Sequence, residues 1–445
     1  MAAASSGLMP PSFIVTNRSV FAIAGPAMLA NVTTPLLGVV ATAAVGRVGD
    51  SAVLGGVAMA ALVFDCLFWL FGFLRMGTVA LTAQAYGADD AGERTAVLAR
   101  ALMTSAAIGL VLIVLQIPMA ALIFGSMGGS DTVRDAAEHY FFIRLWSAPF
   151  ALGNYVMLGW LVGLARPMLA LSIQIAINII NMVLTVLLVL HFDWGISGAA
   201  IAAVVAEAAG LVIGLAMAWR VLGGNLSLGA ASLFDRAKLM RMLAINRDIM
   251  IRTAALIAAY LFFTAQGARA GDVALAANAV LHNFTLVGAF FLDGLANAAE
   301  QLCGRAYGAR DRTAFGRAVK LISIWGFALG AGASVLFFLF GSPFIDFMTA
   351  NAEVRRVAHQ FMWLAALTPL CGVMAFVFDG VYIGATWARD MRNLMVASFA
   401  IYLAVWAATL PLGNAGLWIA ILSFFIARGV LQAARYPALA RRPFT

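Results

Sequence analysis

Charge is what this chain lacks. Only 11% of its 445 residues are charged, against 63% hydrophobic, and the mean hydropathy is +0.96. A water-facing globule carries about 25% charged residues, so that class is excluded. Cysteine is scarce as well: Cys66, Cys303 and Cys371 lie inside apolar stretches with no metal-like spacing. They read as small core residues, and a disulfide framework is excluded. Nucleotide-binding fingerprints, phosphate-cradling glycine loops and the HExxH pattern are all missing. Of four histidines, His139 and His359 fall near outer helix ends, His191 in a loop, and His282 alone well inside an apolar segment. No nucleophile–base or metal constellation emerges, so an intramembrane enzyme is set aside and no cofactor is expected.

What is present is about twelve long apolar segments, running from 18–45 to 413–434. About 20 apolar residues span a bilayer as a helix. Their apolar character is continuous rather than alternating, which argues against a β-barrel. The fold class expected is all-α integral membrane, with twelve transmembrane helices in two pseudo-symmetric six-helix bundles. The first segment is long enough to span and reads as a helix that is kept, not as a cleaved signal. With the N-terminus placed inside, 21 basic residues fall on the inner side and six on the outer side, Arg75 lying within a span. This follows the positive-inside rule and puts both termini in the cytoplasm. The formal charge of +8 is therefore a topology signal, and the lipid bilayer, not nucleic acid, is the expected partner of a monomer.

The second half repeats the first. Gly49 and Asp50 answer to Gly271 and Asp272, and Phe68, Leu70 and Gly72 to Phe290, Leu292 and Gly294. One residue is then dropped, and Ala85-Tyr86-Gly87-Ala88 matches Ala306-Tyr307-Gly308-Ala309, with Asp90 answering Asp311. The longest polar interruption separates the halves. Residues 1–221 are read as an N-lobe, 222–247 as a cytoplasmic linker and 248–445 as a C-lobe. Six is even, so both halves enter the membrane in the same direction, and a solute site belongs where they face each other. Of the prolines, Pro149 and Pro369 are repeat partners read as static kinks, while Pro26 and Pro35, nine residues apart, leave a hinge open in the first helix.

An acidic residue at the centre of a span costs about 2.5–3.5 kcal/mol on insertion scales, so it is paired, protonated or faces water. Asp65, Glu207, Asp293, Glu300 and Asp379 are the candidates. Gln174, Asn178, Asn181 and Thr185 recur at helical spacing and form one polar stripe; Asp293, Asn297 and Glu300 form another. Asn278 and His282 make a further i, i+4 pair. Such stripes face protein or a cavity, either as hydrogen-bonded glue or as a solute path. A carboxylate in apolar surroundings can exchange a proton for a cation, and aromatic rings beside it favour cationic or amphipathic solutes.

Several stretches resemble the DinF-like branch of the multidrug and toxic compound extrusion (MATE) family. They are Thr34-Pro35-Leu36-Leu37-Gly38, Phe73-Leu74-Arg75-Met76-Gly77-Thr78, Leu145-Trp146-Ser147-Ala148-Pro149, Asn246-Arg247-Asp248 and Asp379-Gly380-Val381-Tyr382-Ile383-Gly384. The resemblance spans essentially the whole chain. It implies two V-shaped six-helix lobes in a bacterial inner membrane, exporting small organic cations or amphipathic drugs against inward H⁺, with Na⁺ as the alternative ion. Two positions depart from the family pattern. An Asp expected directly before Thr42 is Ala41, and the Asn, Asn, Asp series of the fifth helix reads Asn178, Asn181, Thr185. In the family these carboxylates form the N-lobe ion site. Its loss leaves coupling to Asp65, Asp293 or Asp379, or leaves the exporter impaired. A lipid-linked precursor flippase of the same superfamily and a non-transporting scaffold are the alternative readings. The acidic character of the mid-membrane residues counts against the flippase.

Overall fold

The computed structural model describes residues 14–46, 51–126, 130–224 and 233–442, with side chains described outside 32–54 and 126. Helix α1 is Asn17–Gly46. It is followed by α2 (Gly55–Gly87), α3 (Ala91–Val114, after which the chain breaks at Leu115 and adds a short apolar helix, Gln116–Ser126), α4 (Asp131–Gly163), α5 (Pro167–His191) and α6 (Gly195–Val221). The second half supplies α7 (Arg236–Arg269), α8 (Asp272–Gly308), α9 (Arg312–Met348), α10 (Ala352–Gly384), α11 (Ala388–Ala408) and α12 (Asn414–Ala440). Among the described residues α2 to α12 are each long and apolar enough to cross a membrane, and α1, of 30 residues, makes twelve. This is a multi-pass, all-helical membrane fold. Side chains such as Val114, Leu122 and Val430 are exposed, as expected where lipid replaces water.

Two departures from regular helix precede prolines. Before Pro149 the chain makes a 3₁₀ turn at Leu145–Ser147, and α10 is interrupted at Leu367, two residues before Pro369. A proline ring removes one backbone donor and clashes with the preceding turn. The linker is shorter than its composition suggests. Asp235 caps α7, its carboxylate accepting from the N–H groups of Ala237 (3.0 Å) and Lys238 (3.1 Å). Residues from Arg236 onward are therefore helical, and the polar 236–247 stretch is the first part of a long helix rather than a loop.

The repeat is written into the backbone. Asp90 and Asp311 cap α3 and α9 in the same way, each accepting an N–H three residues on at 2.8 Å. Left-handed φ values recur in pairs at Asp89 (53°) and Arg310 (57°), and at Ala165 (57°) and Thr386 (56°). None of the four is glycine, so the turns hold these residues in a sparsely populated conformation.

Within the first half α2 packs on α4, α3 on α4 and α5 on α6; within the second, α8 packs on α10, α9 on α10 and α11 on α12. The halves join where α8 meets α1 and α2. At the linker side of that junction a Cβ on Gly87 would collide with the Arg305 carbonyl oxygen, and one on Gly308 with the Gln84 carbonyl oxygen. These are repeat partners, each meeting the other's helix, so α2 and α8 touch backbone to backbone there. Gln84 Nε2 donates across the junction to the Gly384 carbonyl at 2.9 Å, and Arg241 Nη2 donates to Gln84 Oε1 at 3.1 Å. Lys238 reaches Glu93 at 2.7 Å. The junction is sealed on this side.

Candidate functional site

Above the seal, between the halves, lies a cavity of about 500 Å³ with walls from both. Its size is that of a site for a drug-sized ligand, about 300–1,000 Å³. Aromatic residues from both halves line it, among them Trp69, Tyr155, Tyr260 and Phe376. Trp69 and Tyr260 come from opposite halves, with ring centroids 6.0 Å apart. Four charged residues share the wall: Arg75, Arg252, Arg428 and Asp293.

The arginines are the part that sequence reasoning missed. Arg252 and Arg428 were assigned to the inner-loop charge, yet both are buried in α7 and α12 at 6% and 2% exposure. Together they hold one carboxylate, Asp379 of α10. Arg252 Nη2 donates to Asp379 Oδ2, Arg428 Nη2 donates to the same oxygen at 2.6 Å, and Gln432 Nε2 donates to Oδ1 at 2.7 Å. The Arg428 guanidinium also lies over the rings of Phe376, Phe424 and Phe425, 5.4–5.9 Å from their centroids. Asp379 sits behind the arginines and is not part of the cavity wall. A signal was available. Arg428 follows Phe424-Phe425-Ile426-Ala427, inside the predicted last span, and the cost argument applied to acids applies equally to it.

From α2, Arg75 donates to Asn297 Oδ1 of α8 and stands 3.6 Å from the Glu300 carboxylate of the same helix. Asn297 in turn donates to the Asp293 carbonyl oxygen at 2.8 Å. Glu300 is buried behind the wall at 2% exposure. The Asp293 side chain makes no hydrogen bond or ion pair among the described residues, although Arg75, Arg252 and Arg428 all act on it electrostatically. It is the one carboxylate on the described cavity wall.

The other expected residues divide by position. Gln174 and His282 line the cavity. Gln174 donates to Asn178 at 3.0 Å and Thr185 to Asn181 at 3.4 Å, so the α5 stripe is hydrogen-bonded along its own length. Asn278 does not reach the cavity wall: it exchanges hydrogen bonds with Asn414 at 2.8 and 2.9 Å and accepts from Trp418 at 2.9 Å. That is glue between α8 and α12. Glu207 accepts from Asn154 at 2.7 Å and lies 4.0 Å from Arg144. Asp65 is exposed on the α2 face that carries Trp69 one turn later, with Arg144 as its charged neighbour. The side chain of Ala41 lies outside the described residues. The chamber is therefore not acid-lined, as the sequence suggested. Its wall shows three arginines and one carboxylate, because two of the expected acids are turned inward onto those arginines.

A multi-pass helical protein whose two halves close around a mid-span cavity is a transporter of the two-lobed type. The MatE family model matches the chain twice, over residues 26–187 and 249–408. The chain belongs to the MatE family, whose members are transporters and not enzymes. Among its relatives is the DNA damage-inducible protein F of Escherichia coli, 36% identical and aligned over 94% of this chain and 92% of that one. Protein DETOXIFICATION 44 of Arabidopsis thaliana is 26% identical over 94% of this chain and 81% of its own. A MATE crystal structure in a bent conformation superposes with a TM-score of 0.87 at 18% identity, covering 96% of this chain and 97% of that one. At that identity the likeness speaks for the fold. The family function is export of drugs and toxic compounds.

Proposed function

We propose that this chain is a monomeric secondary exporter of small amphipathic compounds bearing a basic group, in a bacterial inner membrane with both termini cytoplasmic. It works by alternating access of two lobes, the first ending at residue 221 and the second beginning with α7 at Arg236, joined through the stretch between them. The observation that carries this reading is the cavity of about 500 Å³ between the halves, sealed toward the linker by the α2–α8 crossing. A bilayer protein without a nucleotide site draws on an ion gradient. The favoured ion is H⁺, with Na⁺ second, and the favoured carrier is Asp293. Facing the cavity with no bonded partner among the described residues, it can hold a substrate's basic group on one side and exchange it for a proton on the other. The polar stripe Gln174, Asn178, Asn181 and Thr185 flanks the route from the N-lobe.

The lipid-linked precursor flippase gains one argument from the arginines on the wall. Against it, Asp379 and Glu300 already engage those arginines, and the cavity is drug-sized. The deciding measurement is uptake of a fluorescent amphipathic cation into vesicles under imposed pH or Na⁺ gradients. Asp293→Asn is expected to abolish the part of uptake that follows the pH gradient, at least tenfold. Uptake unchanged in that variant would sink the assignment. Ala41→Asp, run beside it, tests the N-lobe: greater gradient-driven uptake in the substituted chain marks the natural Ala41 as a weakened coupling point, and equal uptake leaves coupling with Asp293.

A further inference from the structure

On the linker side of the α2–α8 crossing lies a second pocket, of about 490 Å³, sharing no lining residue with the cavity above. Both halves supply cations to its wall: Arg100 from the first, and Lys238, Arg241 and Arg310 from the second. Arg100 is buried, whereas the other three are exposed and within reach of a solute. The wall also holds two carboxylates, Asp90 and Glu93, and both are already engaged. Glu93 meets Arg100 at 2.5 Å and Lys238 at 2.7 Å, while Asp90 accepts the Glu93 N–H at 2.8 Å. Arg241 donates only to uncharged oxygens, Gln84 Oε1 at 3.1 Å and Thr386 Oγ1 at 3.5 Å. The Arg310 side chain has no hydrogen bond or ion pair among the described residues. The helix ends at Gly87 and Gly308 bring roughly half a negative charge each. Four cations against two carboxylates and two helix ends leave about one positive charge unmatched.

Charge that serves topology need only face water; these four cations converge from both halves on one concave site. Small and aliphatic residues, among them Leu81, Ala85 and Ala309, fill the rest of the wall. No aromatic ring stands among the described lining residues to stack a base or hold an organic cation. A compact oxyanion is what such a wall can recognise. Guanidiniums arriving from different elements suit a tetrahedral phosphate, whose oxygens accept from several directions, better than a planar carboxylate. We propose that this pocket binds a phosphate group, carried by an anionic lipid headgroup or by a soluble phosphate, and that the bound group clamps the two halves together on the linker side. Basic pockets between membrane helices hold phospholipid headgroups in this way. The site itself does not depend on the exporter reading; its effect on the cycle does. Gly87 and Gly308 line the same pocket, so opening their crossing separates Arg100 from Arg241 and Arg310 and releases the phosphate. Occupancy therefore holds the carrier shut toward the linker and slows each turnover.

The test is hydrogen–deuterium exchange of the purified full chain over 84–90 and 305–311, the two sides of the crossing. Samples are compared in phosphatidylcholine nanodiscs, in nanodiscs with roughly one-third phosphatidylglycerol, and in phosphatidylcholine with added glycerol phosphate. Potassium chloride at matched ionic strength is the control. A ligand that binds only the closed form lowers the open population, so about tenfold protection is expected at about ten times Kd. Protection by the lipid alone assigns the phosphate to a headgroup; protection by glycerol phosphate shows that a soluble phosphate suffices. Protection by neither, or equal protection by chloride, overturns the proposal. Arg310→Gln breaks no described side-chain contact, so it should fold normally and weaken binding about fivefold or more. Arg241→Gln should weaken it further. Protection undiminished in both variants overturns the site. The two readings fail separately. Protection in a chain that moves no solute sinks the exporter and keeps the site, whereas vesicle uptake that a protecting phosphate does not slow overturns the clamp.

Discussion

At the scale of single residues, Asp379 is the centre of a buried ionic knot. Asp379→Asn would leave two buried guanidiniums without a counter-charge, and breaking one side of such a cluster costs about 3–5 kcal/mol. The expected outcome is a marked drop in the thermal unfolding temperature of the purified protein. Asp293→Asn, which breaks no described contact, should leave that temperature within about a degree. Equal stability of the two variants would contradict the division drawn between a structural carboxylate and one that faces the cavity. The same contrast explains what was legible beforehand. Spacing along one helix reveals Gln174 with Asn178, and Asp293 with Asn297, because i, i+4 neighbours share a face. It says nothing about Arg252 and Asp379, on different helices and 127 positions apart. A count of basic residues by loop actively hides such a pair, since it credits every arginine near a helix end to water.

At the scale of elements, α2 and α8 govern access. Their crossing depends on the missing side chains of Gly87 and Gly308, where any Cβ meets backbone that cannot rotate away. Gly308→Val is expected to hold the linker side open. Hydrogen–deuterium exchange over 84–90 and 305–311 should then rise several-fold, and vesicle uptake should fall, with the protein still folded. Exchange no faster than in the natural chain would show that this crossing is not the seal. Twelve elements and their order were readable from apolar length alone, and the equivalence of Ala85–Ala88 with Ala306–Ala309 from plain matching. The meeting of those two segments in space was not readable, because a repeat announces likeness and not contact. The helical start at Arg236 was also hidden, since a polar stretch reads as loop until its Asp235 cap is seen.

At the scale of the whole molecule, the proposed orientation rests on the distribution of 21 inner to six outer basic residues, a bias that persists after Arg252 and Arg428 are moved from the inner side into the spans. A fluorescent protein that matures only in the cytoplasm, fused after Thr445, should therefore fluoresce in intact cells, whereas a periplasmic phosphatase fused there should be inactive. The reverse pattern would invert the direction of transport proposed above. Charge from the two halves also meets at the seal, through Lys238 and Glu93. Exposed pairs of this kind contribute about 0–1 kcal/mol, small enough to be remade on every cycle.

The Gly87–Gly308 crossing carries one more consequence. Arg75 and Asn297, which hold hands a few turns deeper, are likewise counterparts 222 positions apart. Positions that face their own counterparts lie on a two-fold axis, where a single residue would have to serve both sides of an isologous interface. A six-helix chain of half this length, paired with an identical twin, could make the glycine contact twice using one glycine codon. It could not make the guanidinium–amide contact, which requires unlike residues. Fusion into one polypeptide is what lets the axis of this carrier become chemically lopsided, with a cation contributed by one side and an acceptor by the other.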